Sequence, residues 1–314
     1  MTTRHTHFKL NTGQEIPAIG FGTWQDEKAQ EDAVVTAIAA GYRHIDTAAI
    51  YGTEKAIGRA LQRAGVPGDQ LFITSKLWNN KHDPADVETA IDQSLKNLGV
   101  DHLDLYLMHW PAAFASGDEN FPKDTQGNSK NANIDYVDTY KAMEKLVKSG
   151  KTKAIGVSNF SKAEMERLLK ECSVVPAVHQ LEVHPWLQQK DFVEWHKSKG
   201  IHVTQYSSLG NQNEIYVGHQ KFGKLIEDSV LVQIAKKHER TGAQVALAWG
   251  INKGHSVLVK SKTPDRIKQN FASDFKLDAE DMQAIAAIDK KLRFNDPSKP
   301  FKYEFYTDLD GKQK

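Results

Sequence analysis

The chain has 314 residues, 39% of them hydrophobic, enough to bury a sizeable core as one large domain or two small ones. Its 41 Lys and Arg balance 40 Asp and Glu, without the one-signed excess of a nucleic-acid or acidic-membrane binder, so any anion must be recognised locally. A single cysteine, Cys172, rules out an intrachain disulfide and suits a reducing compartment, and neither an apolar leader in "MTTRHTHFKL" nor a long uncharged apolar run is present, so a cytoplasmic, non-membrane protein is expected.

The first expected element is a β-hairpin over 7–17, where two extended stretches flank Asn11-Thr12-Gly13. Eight short apolar runs follow, at 18–23, 43–48, 71–77, 103–109, 153–159, 177–183, 202–208 and 256–261. Amphipathic stretches accompany them at 27–40, 54–64, 84–98, 135–149, 161–171, 188–199, 229–238 and 264–271. The segment 83–99 carries a full set of helix signals: Asp83 to cap, Pro84 in the first turn, Ile91, Leu95 and Leu98 on one face, and Gly99 to end it. Beyond the last pair lie a further helix, 278–290, and a tail.

Eight strand–helix alternations with no linker dividing the chain predict a single (β/α)₈ TIM barrel over 1–314, with the hairpin at its N-terminus and an extra C-terminal helix and tail. A doubly wound sheet is disfavoured, because "GFGTWQ" lacks the third glycine of a dinucleotide fingerprint. In such a barrel the reacting groups sit at the C-terminal strand ends. Those ends read Asp46, Lys76, His109, Ser158 with Asn159, Gln180, Tyr206, and Lys260 with Ser261, seven successive strands closing on hydrogen-bonding or titratable side chains.

Singly, each has an ordinary reading: Lys76 a snorkelling lysine, His109 a satisfied core histidine, Tyr51 a packing aromatic, Asp46 a helix cap. Together they suggest acid–base chemistry. A phenol is too weak an acid at neutral pH unless a neighbouring cation stabilises its anion, which Lys76 can supply to Tyr51. Asp46 can keep that buried lysine charged, and His109 can donate to a carbonyl oxygen. The set holds no activated nucleophile and suits protonating an oxygen while a hydride reaches carbon. The 13 histidines show no convincing metal-ligand spacing, and no metal is expected.

The segments "GYRHIDTAAIYGTE", "SKLWN", "LDLYLMHWP", "GVSNF", "QLEVHP", "YSSLG" and "KSKTPDRIKQN" occur in an order and spacing that resembles the aldo-keto reductase family over nearly the whole chain. The resemblance implies NADPH/NADP+-dependent interconversion of carbonyls and alcohols, with Tyr51 as general acid, Lys76 and Asp46 tuning it, and His109 placing the carbonyl. It places Gly22, Thr23 and Trp24 near the nicotinamide, Ser158, Asn159 and Gln180 on the carboxamide, and Tyr206 against the ring. A loop from Ser207 through about Asp228, with Leu209, would cover the pyrophosphate. Lys260, Ser261, Thr263 and Arg266 would surround the 2′-phosphate, with Gln269 and Asn270 near the adenine. A lysine and an arginine six apart at a strand-to-helix junction support that last placement independently.

Trp24, Tyr51, His109 and Trp110 are expected to touch substrate, in a mouth also lined by Trp78, Phe114 or Phe121, and the tail aromatics Phe301, Tyr303, Phe305 and Tyr306. The "NQNEIY" loop resembles that of fungal members acting on glyceraldehyde, aldoses or glycerol, so small hydroxyaldehydes and aldoses are the expected substrates, beside aryl aldehydes. Three positions depart from the family pattern: "LVKS" and "QYSSLG" each lack a usual proline, and His179 replaces the usual Asn before Gln180. A monomer is the family default. Two rivals are a Schiff-base aldolase using Lys76 and a non-catalytic NADP-binding regulatory subunit.

Overall fold

The computed structural model describes residues 5–210, 212 and 222–312. Strands β1 (His7–Lys9) and β2 (Glu15–Pro17) pair antiparallel around the turn that Gly13 closes with φ 87°. Eight parallel strands then close on themselves: β3 (Ile19–Gly22), β4 (His44–Asp46), β5 (Phe72–Leu77), β6 (Leu105–Met108), β7 (Ile155–Ser158), β8 (Val178–Glu182), β9 (His202–Tyr206) and β10 (Ser256–Val259), with β10 hydrogen-bonded to β3. The expected barrel and hairpin are thus both present. Among the described residues no helix is long and apolar enough to cross a membrane.

Helices α1 (Glu27–Ala40), α2 (Glu54–Ala64), α3 (Val87–Leu98), α4 (Tyr136–Lys148), α5 (Lys162–Glu171), α6 (Lys190–Ser198) and α7 (Ser229–Lys237) follow the expected pattern to within a few residues. The start of α3 is a correction. Asp83 accepts from the Ala85 N–H at 2.9 Å in a turn, and regular helix begins only at Val87, ending as expected at Gly99 with φ 67°. Helix α8 (Gly242–Asn252) was not foreseen. Its core-facing run Val245–Ile251 is buried throughout, so it shows no polar stripe for periodicity to detect. Helix α9 (Pro264–Phe271) follows β10, and the extra helix is shorter than expected, α10 (Ala279–Ala286); a short α11 (Ser298–Phe301) lies in the tail.

Alternation along the staves sorts the side chains. On β5, Ile73 and Leu77 join the layer between barrel and helices, while Phe72 joins Leu105, Leu107 and Val178 in a second cluster with Leu10 and Ile16 of the hairpin. The hairpin therefore plugs the N-terminal end of the barrel. The inward series Phe72, Thr74, Lys76 turns from apolar to charged toward the opposite mouth, where all the candidate residues of the strand ends collect. Gly156 on β7 lets that wall close: a Cβ there would lie 2.2 Å from the Val178 carbonyl oxygen on β8.

Candidate active site

Asp46 ends β4, Lys76 lies near the end of β5, His109 follows β6, and Tyr51 closes a single 3₁₀ turn, Ala49–Tyr51, leading from β4 to α2. The Lys76 Nζ is completely buried and donates to Asp46 Oδ1 at 2.6 Å and to the Thr47 carbonyl at 2.7 Å. The same ammonium lies 5.2 Å from the centre of the Tyr51 ring. Burial pulls the Lys76 pKa below the usual lysine range, opposed chiefly by Asp46 and by its hydrogen bond, with the Glu54 carboxylate adding to them. The His109 ring sits edge-on to Tyr51 at 5.7 Å and to Trp78 at 5.2 Å. Burial, reinforced by Lys76 and His82, pushes His109 well below its ordinary pKa, so it is a neutral imidazole at pH 7, able to donate from one nitrogen.

The second oxygen of Asp46 accepts from Gln180 Nε2 at 2.8 Å, tying this cluster to the polar ends of β7 and β8. Ser158 donates to the Gln180 carbonyl, and Asn159, held in the left-handed region at φ 65°, donates to the His109 carbonyl at 3.0 Å and to Ser158 Oγ. Its Oδ1 accepts from Tyr206 at 2.6 Å and from Tyr306 at 3.0 Å. Ser158, Asn159 and Gln180 thus form one patch of amide and hydroxyl groups, chemistry that matches a carboxamide. Thr23 is wholly buried, donating to the Asp46 carbonyl, and Gly22 pairs with Asp46 across β3 and β4.

The remaining expected cofactor residues lie on the next part of the mouth. Ser207 adopts φ 50° and accepts from Asn295, and Leu209 packs half-buried against the core. Of the covering loop expected from Ser207 to about Asp228, residues 211 and 213–221, including most of "NQNEIY", lie outside the described residues. Lys260 ends the β10 region, Ser261 accepts from the Thr263 N–H, and Arg266 stands exposed in the first half of α9 with Gln269 and Asn270 beyond it. Lysines and an arginine around one strand-to-helix turn fit a phosphate. Two neighbours escaped the sequence reading: Lys262, and Asp26, whose carboxylate bridges Lys260 and Lys262.

Aromatic rings wall the mouth. Trp78 meets Phe114, Phe121 and Phe301 edge-on at 5.9, 5.4 and 6.1 Å, and Trp110 meets Phe301 and Phe305 at 5.6 and 5.0 Å. Trp110 also stacks beside His109 at 6.2 Å. Trp24 is 40% exposed and makes no ring contact with this wall among the described residues. Expectations for the tail need correction. Tyr303 turns outward to hydrogen bond with Glu164 of α5. Phe305 and Tyr306 are buried beneath the wall, with Arg293 stacked 3.8 Å from the Tyr306 ring.

The start of the tail is anchored on β8. Glu182 accepts from the backbone N–H groups of Phe294 and Asn295 at 2.7 and 2.8 Å and pairs with His184 at 3.0 Å. Burial alone would raise this carboxylate, but His184, Arg293 and the Phe294 N–H outweigh it and hold Glu182 below the usual range. His179, the departure from the family pattern, accepts from the Phe160 N–H at 3.1 Å and hydrogen bonds through its other nitrogen with His196 at 2.7 Å. It therefore supports the backbone next to Asn159.

Residues 18–290 match the family model described as the aldo/keto reductase family. An uncharacterized oxidoreductase of Schizosaccharomyces pombe is 48% identical over 295 residues, covering 93% of this chain and 91% of the relative. Aldo-keto reductase family 1 member A1 of Xenopus tropicalis is 44% identical, with 94% and 92% covered. Among solved structures, the aldose reductase from Schistosoma japonicum superposes with a TM-score of 0.89 at 36% identity, covering 96% of this chain and 98% of that one.

Proposed function

The chain belongs to the aldo/keto reductase family, and from that premise we propose that it is an NADPH-dependent reductase of aldehydes that acts reversibly on the corresponding alcohols and polyols. Its substrates are small hydroxyaldehydes such as glyceraldehyde, aldoses and aryl aldehydes. The observation that carries this reading is the wholly buried Lys76, salt-bridged to Asp46 and set against the Tyr51 ring. A charged lysine in that place costs desolvation energy, and the reading gives it a purpose.

Tyr51 donates the proton to the carbonyl oxygen, and the Lys76 ammonium stabilises the phenolate left behind. Asp46 keeps Lys76 charged and in position. The neutral His109 ring donates a hydrogen bond to the same carbonyl oxygen, fixing the carbonyl between itself and the phenol without adding a competing acid. Bound NADPH supplies the hydride. Ser158, Asn159 and Gln180 hold its carboxamide, Tyr206 packs on its ring, Gly22, Thr23 and Trp24 lie near that end, Ser207 and Leu209 belong to the covering loop, and Lys260, Ser261, Thr263, Arg266, Gln269 and Asn270 hold the phosphate-bearing adenosine. The ring wall around Trp78 and Trp110 receives the organic part of the aldehyde and sheds water from the reacting oxygen.

Use of Lys76 as a Schiff-base nucleophile is disfavoured, because its amine is buried and engaged by Asp46 and the Thr47 carbonyl. The test is loss of NADPH absorbance with DL-glyceraldehyde and with an aryl aldehyde, for the native enzyme and Tyr51→Phe. The native enzyme should turn over at least one of them, and the variant should lose roughly 10²–10⁴-fold in rate while NADPH binding, followed by fluorescence, stays near normal. Tight NADPH binding without turnover in the native protein would favour a regulatory role instead, and a fully active variant would remove Tyr51 from the acid's role.

A further inference from the structure

The turn from β3 into α1 uses Asp26 in an unusual way. Asp26 occupies the position before the first residue of α1, where an aspartate ordinarily accepts from the helix's own N–H groups, yet its side chain makes no such bond. Gln25 and Asp26 both lie in the left-handed region, at φ 67° and 55°, a conformation uncommon for residues with a Cβ and rarer still as a consecutive pair. This backbone turns the carboxylate away from the helix and toward the loop between β10 and α9. There both of its oxygens are engaged, Oδ2 by Lys260 and Oδ1 by Lys262 at 3.0 Å. The two lysines hold the Asp26 carboxyl below its ordinary pKa, so it is an anion throughout the working pH range.

We propose that Asp26 is an internal counter-anion of the cation cluster formed by Lys260, Lys262 and Arg266, and that it sets the enzyme's discrimination between NADPH and NADH. The inference rests on the reading above that this cluster receives the 2′-phosphate. A dianionic phosphate arriving there competes with the carboxylate for the same two ammonium groups and is repelled by it if it stays. A cofactor with a plain 2′-hydroxyl has no need to displace it. Asp26 therefore weakens NADPH binding selectively and narrows the preference that the three cations would otherwise impose. Arg266, exposed and outside this pairing, gives the incoming phosphate its first uncommitted cation among the described residues.

The experiment is a fluorescence titration of the full-length enzyme with NADPH and NADH, comparing the native protein with Asp26→Asn and Lys260→Ala. Asp26→Asn keeps the side chain's shape and removes its charge. It should tighten NADPH on the order of fivefold, the scale of a partly exposed ion pair, and leave NADH within about twofold. Asp26→Ser, which keeps a short polar side chain and removes the charge, should tighten NADPH in the same direction and serves if the first variant folds poorly. Unchanged or weaker NADPH binding in both variants would overturn the proposal, the weaker case marking the bridge as a clasp over bound cofactor. Equal loss of NADPH and NADH in Lys260→Ala would instead overturn the placement of the phosphate. Selective loss of NADPH in Lys260→Ala with no gain in either Asp26 variant would leave that placement standing and dismiss the counter-anion alone.

Discussion

Replacing Asp46 by Asn keeps the shape of the β4 end and removes the charge that compensates Lys76. Lys76 is fully buried and Asp46 nearly so, and apart from Asp46 the Lys76 ammonium donates its hydrogen bond to the Thr47 carbonyl. Two responses are open to the variant. Keeping Lys76 charged without its partner costs about 3–5 kcal/mol, the usual loss on breaking a buried pair. Neutralising it at pH 7, from an unfolded pKa near 10.4, costs roughly 4–5 kcal/mol at about 1.4 kcal/mol per pH unit. The two ceilings nearly coincide, so Asp46→Asn should lose about 3–5 kcal/mol at pH 7 in equilibrium urea unfolding. The pH dependence carries the argument. With Lys76 depressed in the folded variant, the unfolded chain binds the extra proton, so stability rises with pH, and the deficit should shrink to about 2 kcal/mol near pH 9. A loss under about 1 kcal/mol, or one that does not change between pH 7 and pH 9, would refute the claim that Asp46 keeps a buried cation charged.

Other outcomes follow from the same structure. Burial pushes His44, His82 and His202 down to about 3, and His196 to about 4, so these rings are neutral in the fold while the unfolded chain protonates near 6.5. Folded values below unfolded ones mean stability is present above about pH 6.5 and lost as pH falls toward 4; the four together should cost about 5 kcal/mol between pH 7 and pH 5.5 in urea melts, and a flat profile would contradict their burial as neutral rings. Gly156→Ala should destabilise by about 1–3 kcal/mol, because the new Cβ meets the Val178 carbonyl at 2.2 Å and Leu107 at 2.8 Å; an unchanged melting temperature would mean that β7 and β8 can part without penalty.

The sequence by itself determined the barrel, because eight apolar runs with helices between them can bury their faces in few other ways, and because strand ends polar on one side only define a mouth. It also picked out Asp46, Tyr51, Lys76 and His109 as a group, since Asp46, Lys76 and His109 stand at the ends of three successive strands and Tyr51 follows Asp46 by five residues. Helix α8 was not legible, because a helix buried on most sides leaves no polar stripe in its sequence. Nor was the inward burial of Phe305 and Tyr306, which depends on where the tail crosses the mouth after Glu182 has captured residues 294 and 295. Asp26 and Lys260 stand 234 positions apart, and His179 and His196 belong to different layers of the barrel. Such pairings are properties of ring closure: only when β10 comes to lie against β3 does the last strand's lysine meet the first turn's carboxylate.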